Sequence, residues 1–133
     1  MDNLLLGSCL CGAVHYQTST PPKVVSHCHC SQCRKGHGAA FASFFNVLRN
    51  DLELTRGAES LKSFESSESV LRQFCGECGS SLFWSTSKGP YADWISIAMG
   101  TLDTPVTGAK QKHICVASKA TWHDITDHWP QHP

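Results

Sequence analysis

The stretch Phe74-Cys75-Gly76-Glu77-Cys78-Gly79 sets two thiols three residues apart in a glycine-rich turn, between strand-like runs at Val70 to Phe74 and Ser81 to Trp84. The glycines permit the tight turn that aims both sulfurs at one metal ion, a zinc knuckle. A knuckle gives two ligands and a closed tetrahedral site needs four, so a second pair must come from elsewhere. Cys9 and Cys11 can supply it. On a flat strand, residues two apart lie roughly 6.6 Å from each other. Sulfurs sharing a tetrahedral zinc sit about 3.8 Å apart, given a Zn–S bond of about 2.3 Å. The chain must bend there, and Gly7 and Gly12 flank the pair to allow it. Cys9, Cys11, Cys75 and Cys78 are therefore expected to hold one structural zinc that ties the two ends of the β region together.

Three more cysteines crowd into Cys28-His29-Cys30-Ser31-Gln32-Cys33. Three thiolates leave a coordination position open, the mark of a reactive zinc whose fourth place takes water or a substrate atom. Soft thiolates favour a soft fourth partner, and the abundant one in cytosol is the glutathione thiol. The alternative is that His27, His29, His37 or Cys115 closes the site and makes it a second structural zinc. Cys115 alternates with Ile114 and Val116 in a strand-like run and reads most simply as a buried, inert thiol.

Around these groups the chain reads as mostly β with little helix. Short apolar or alternating runs include Val14 to Tyr16, Val24-Val25, Ala39 to Val47, Leu52 to Thr55, Leu61 to Phe64 and Trp94 to Ala98. Each is bounded by turn formers such as Pro21-Pro22, Asn50-Asp51, Gly57, Gly79 and Gly89-Pro90. Between Ala39 and Val47, Phe41, Ser43 and Phe45 share one face and Ala42 and Phe44 the other, which predicts a strand buried on both sides. No segment shows a sustained helical period. The length of 133 residues suits one domain, spanning 1–133, with the less regular segment 104–133 packing across the sheets. Trp84, Trp94, Trp122 and Trp129 read as core or groove-lining residues.

Eleven basic and eleven acidic side chains cancel. Seven metal-bound thiolates around two zinc ions would shift the balance to about −3. No field of either sign favours nucleic acid or an anionic membrane surface. The N-terminal run Met1-Asp2-Asn3-Leu4-Leu5-Leu6-Gly7 lacks a basic start and is too short for a leader or a span, so a cytoplasmic address is expected. In that reducing compartment eight cysteines read as metal ligands rather than disulfides.

Four motifs, Gly7-Ser8-Cys9-Leu10-Cys11-Gly12-Ala13-Val14, Cys28-His29-Cys30-Ser31-Gln32-Cys33-Arg34-Lys35, Phe74 to Gly79 with Leu82-Phe83-Trp84, and His113-Ile114-Cys115-Val116 leading to Ser118-Lys119-Ala120, together resemble the glutathione-dependent formaldehyde-activating enzyme (GFA) family, which includes centromere protein V. The likeness runs from about Gly7 to Ile125; Thr121 stands where similar proteins usually carry proline before the tryptophan. It implies a zinc-stabilised β-tent of short antiparallel sheets, up to two zinc ions, and a carbon–sulfur lyase-type activity that joins glutathione to formaldehyde as S-hydroxymethylglutathione, or acts on a related aldehyde adduct. Within that reading Cys28, Cys30 and Cys33 act through zinc. His29, or alternatively His27 or His37, carries the proton, and Arg34 and Lys35 meet the glutathione carboxylates. Two other classes of function stay open on sequence: a glutathione-binding module without catalysis, and a structural zinc interaction module.

Overall fold

The computed structural model describes residues 4–133; Met1–Asn3, on which part of the expectation about a leader rests, lie outside the described residues. The chain is mostly β. Strands β1 (Leu5–Ser8), β2 (His15–Thr18) and β5 (Leu52–Arg56) form a three-stranded sheet in the order β1-β2-β5. Strands β3 (Val24–Cys28), β4 (Ala42–Leu48), β6 (Leu61–Ser67), β7 (Val70–Cys75), β8 (Ser81–Thr86), β9 (Trp94–Ala98) and β10 (Lys110–Ile114) form a seven-stranded sheet in the order β10-β3-β4-β9-β8-β7-β6. Neighbouring strands run antiparallel except β10 and β3, a parallel pair with Ile114 opposite Cys28.

The period-2 alternation of strand side chains gives the large sheet two different faces. Phe45 and Val47 of β4, Ile95 and Ile97 of β9, and Leu82 and Phe83 of β8 pack against Tyr16 of the small sheet and Val14 just before β2 in one buried core. Phe83 meets Tyr16 edge to face at 5.3 Å. The Tyr16 ring lies directly over Gly7, where an added Cβ would fall 2.1 Å from it, and its hydroxyl pairs with Thr101 Oγ1 at 2.6 Å. On the opposite face Ala42 and Phe44 are buried beside Cys28 and Cys33, so the first half of β4 is covered on both sides as its composition predicts, while Asn46 and Leu48 farther along that face are exposed.

One element runs against the sequence expectation. Residues Ser31–His37 form a helix, α1, in the middle of the second cysteine group. Cys30 occupies its N-cap and accepts the Cys33 N–H on its sulfur at 3.3 Å, while Gly38, at φ 60°, donates its N–H to the Arg34 carbonyl and ends it. Only Cys33 is buried along α1, so no apolar period announces it.

The C-terminal segment closes one edge of the large sheet. The His113 N–H reaches the Pro130 carbonyl, the His132 N–H the His113 carbonyl, and the Val116 N–H the His132 carbonyl. Residues 130–132 thereby cover the outer edge of β10, which would otherwise present unpaired backbone groups. No helix among the described residues is long and apolar enough to cross a membrane.

Candidate metal centres and the adjoining cavity

The first cysteine group is built by two turns meeting head on. At the end of β1 the Gly12 N–H bonds the Cys9 carbonyl at 3.1 Å, with Gly12 at φ 81°, which supplies the bend that the Cys-x-Cys spacing demands. At the end of β7 the Gly79 N–H bonds the Cys75 carbonyl at 2.8 Å. Ser80 clips the turns together: its Oγ accepts the Leu10 N–H at 2.9 Å and lies 3.2 Å from Cys78 Sγ. The four sulfurs lie within 4.8 Å of one another, with Cys9 to Cys11 at 3.7 Å and Cys11 to Cys75 at 3.8 Å. That separation suits a tetrahedral zinc with bonds of about 2.3 Å, so the donor set fits this metal. Hydrogen bonds from the Ser80 side chain and backbone pull the Cys78 thiol down to about 5. Backbone N–H groups of Val14 and Glu77 point at the sulfurs of Cys9 and Cys75, each at 3.3 Å. Such donors favour thiolates.

The second group collects Cys28 from the end of β3, Cys30 from the N-cap and Cys33 from the first turn of α1, again within 4.8 Å. Arg72, across the sheet on β7, reaches Cys33 Sγ with Nη2 at 3.6 Å. A hydrogen bond from Cys28, aided by Arg72, brings the Cys33 thiol down to about 5, and the same hydrogen bond together with burial pushes Cys28 up. Three sulfurs, one of them favoured as thiolate by its neighbours, fit a soft divalent metal that would be left with a free position.

The three sulfurs, together with Cys115, line a cavity of about 500 Å³. Its floor is the second face of the large sheet. Lys112 and Arg72 are the two cations on its walls, and Phe44, Trp84, Tyr91 and Trp94 supply aromatic surface. Arg34 and Lys35, expected to meet substrate carboxylates, do not line this cavity. Both follow Cys33 on α1, where the helix turns them away from the floor. Sequence order favoured them because they adjoin the cysteines; Arg72 and Lys112 approach only through strand pairing. The parity of Lys112 with Ile114 was the available signal.

The histidines are placed differently from the sequence expectation. Since Cys28 and Cys30 face the cavity, His27 and His29 between and before them face the other way. His27 bonds Ser43 Oγ and Gln111 Oε1, both at 2.7 Å. His29 is fully buried, with Nε2 at 2.8 Å from His113 Nδ1, and His113 Nε2 meets Asp127 at 2.9 Å. Burial first, then the neighbouring His113, push the His29 pKa down to about 4. His29 thus packs behind the cysteine loop, outside the cavity lining. His37 stands edge-on to Phe44 at 5.3 Å and lines a smaller cavity of about 280 Å³ with Arg72. Cys115 is neither strand nor fully buried: it sits at φ 57°, half-exposed, after β10 has ended. All eight cysteines are free thiols. Trp84 and Trp94 line the cavity, whereas Trp122 is exposed.

Comparisons with known proteins bear on this arrangement. The family model of the glutathione-dependent formaldehyde-activating enzyme matches residues 4–118. A Halomonas elongata protein that carries the family's name is 29% identical over 92% of this chain and 81% of its own length. An uncharacterized lyase of Schizosaccharomyces pombe is 30% identical over 64% of this chain, which spans 61% of that relative. The crystal structure of a Rhodobacter sphaeroides protein superposes with a TM-score of 0.65 at 22% identity, covering 80% of this chain and 98% of that one, and so shares the fold. With the family model matched through both cysteine groups, the chain belongs to the glutathione-dependent formaldehyde-activating enzyme family.

Proposed function

We propose that this protein is a zinc-dependent, carbon–sulfur lyase-type enzyme that joins glutathione to formaldehyde, or to a related aldehyde, working in a reducing, cytoplasmic setting as one domain. The observation that carries the reading is the second cysteine group: three sulfurs within 4.8 Å of one another, with the Arg72 guanidinium beside Cys33, line a cavity that carries two cations. Zinc held by Cys28, Cys30 and Cys33 would supply a Lewis acid able to keep a substrate thiol ionised at neutral pH or to polarise a carbonyl oxygen. The other zinc belongs with Cys9, Cys11, Cys75 and Cys78.

The chain's own residues do the rest. Lys112, on the flank of the cavity beside Ser26, offers a charge-assisted partner to a glutathione carboxylate. Arg72 keeps positive potential at the sulfurs while Ser66 Oγ holds its guanidinium at 3.1 Å. Gln32, at the start of α1, is a neutral donor and acceptor at the mouth. In the addition the sulfur–carbon bond forms, the carbonyl π bond opens, and the proton of the thiol ends on the new hydroxyl. Holding the two reactants together converts a bimolecular encounter into a local one.

The test is exchange NMR on an equilibrium mixture of glutathione and formaldehyde with a catalytic amount of zinc-loaded protein. Exchange faster than in protein-free buffer, and lost in a folded Cys30→Ser variant, is the expected result. Unchanged exchange with measurable glutathione binding would instead make the protein a carrier.

A further inference from the structure

We infer that the cavity is built for glutathione adducts whose former aldehyde carbon bears an apolar group of aromatic size, so that formaldehyde is the smallest substrate admitted and not the one fitted. The inference rests on the proposed function for its thiol and aldehyde halves. It comes from surface that neither half explains. Formaldehyde has no apolar side to bury, and glutathione is a peptide with two carboxylates. Yet Phe44, Trp84, Tyr91 and Trp94, joined by Val70 and Ile114, dominate the lining.

Strand register places these rings in sequence along the floor. Cys28 stands opposite Ala42, and Ser26, Phe44 and Ala98 form the next row of the same face. Asn46, Ser96, Trp84 and Arg72 form the row after, and Leu48 with Trp94 the one beyond. Successive rows on one face are roughly 6.6 Å apart. A group attached to a carbon at the sulfurs therefore meets Phe44 first, then the Trp84 indole, with Trp94 and Tyr91 at the outer end. In the middle row Ser96 Oγ donates to Asn46 Oδ1, which leaves the Asn46 amide N–H groups and the Arg72 guanidinium as the polar groups flanking the Trp84 indole. The cations stand on the flanks, Lys112 on β10 and Arg72 on β7, leaving β4, β9 and β8 as an aromatic strip between them. Trp94 remains 37% exposed and Tyr91 61% exposed, which a protein leaves uncovered where a ligand is to cover it.

The chemistry is unchanged by the larger group. For an aldehyde RCHO the sulfur–carbon bond forms, the π bond opens and the thiol proton moves to oxygen, whatever R is. Only the binding differs.

Two stable thioethers isolate that difference: S-methylglutathione, with a small group on sulfur, and S-benzylglutathione, with a ring. Titration calorimetry on the zinc-loaded protein should give at least tenfold tighter binding of the benzyl compound, about 1.4 kcal/mol at 25 °C. In Trp94→Ala, at an exposed position, that ratio should drop below threefold. Trp84→Leu, which keeps apolar bulk, should also shrink it. Equal binding of the two thioethers, or a ratio that survives both substitutions, overturns the inference. A benzyl preference without accelerated formaldehyde exchange would sink the proposed reaction and, with it, formaldehyde as an admitted substrate, leaving only the aromatic subsite for glutathione thioethers standing. Accelerated exchange without the preference would do the reverse.

Discussion

Single residues carry conditions that can be tested one at a time. Gly57 turns the chain into β6 at φ 78°, and an added Cβ would fall 1.8 Å from the Ala13 carbonyl oxygen. Both the left-handed conformation and the collision with backbone forbid a side chain, so Gly57→Ala should cost about 2 kcal/mol or more in a denaturant titration. Tyr16 gives a pH signature. Burial raises its phenol from the ordinary value of 10.0 to about 12, despite the hydrogen bond to Thr101. An acid whose folded pKa is raised stabilises fully below its unfolded pKa and loses that contribution as pH rises. Stability should therefore fall between about pH 10 and 12, by up to about 1.4 kcal/mol per pH unit, and Tyr16→Phe should flatten that limb. A melting temperature of the parent protein that holds steady across this window would contradict the assignment.

At the scale of elements, the two cysteine groups differ in what depends on them. The four-thiol group joins the turn after β1 to the turn after β7, and the direct protein bond from Leu10 to the second turn is its N–H to Ser80 Oγ, with Leu10 87% exposed and Cys11 exposed. The binding energy of a structural zinc is of order 10–16 kcal/mol, comparable to the whole stability of a domain. Cys75→Ser should accordingly leave no cooperative unfolding transition by circular dichroism. Cys30→Ser should remain folded with one zinc by metal analysis, because α1 keeps its Gly38 cap and β3 its partners on both sides. The opposite pattern would reverse the two roles. Strands were legible in the sequence wherever a hydrophobic alternation met a turn residue, as at β4 and β9. The helix α1 was not, since its signals are a sulfur N-cap, a glycine at the end and basic residues in the last turn, none of which shows as a period. β10 was obscured for a related reason: Lys110, Gln111 and Lys112 are polar, and the strand exists because β3 on one side and residues 130–132 on the other pair with it.

For the molecule as a whole, the cysteine grouping was readable because ligand spacing is a local property of the chain. The cavity was not, because Arg72, Trp84, Trp94 and Lys112 come from four strands brought together only by sheet order. Chelation should act in two steps. Removing metal from the three-thiol group should leave the melting temperature nearly unchanged, while stripping the four-thiol group should unfold the protein; following zinc release with a colorimetric chelator alongside circular dichroism would show whether the steps separate. Asp127→Ala offers a further check on the tail. It deprives buried His113 of its carboxylate partner, 2.9 Å away, and should lower the melting temperature and raise hydrogen exchange at residues 113–116.

The parallel pairing of β10 with β3 has a consequence for how the protein is made. A ribosome delivers residues 24–28 long before residues 110–114, and the His29 and His113 rings that meet behind the cysteine loop are 84 positions apart. Until β10 has left the exit tunnel, one edge of β3 stays open and the histidine layer behind it is absent. The nascent chain therefore carries Cys28, Cys30 and Cys33 on an unfinished sheet until β10 arrives, a period in which an electrophile such as formaldehyde would meet them unguarded.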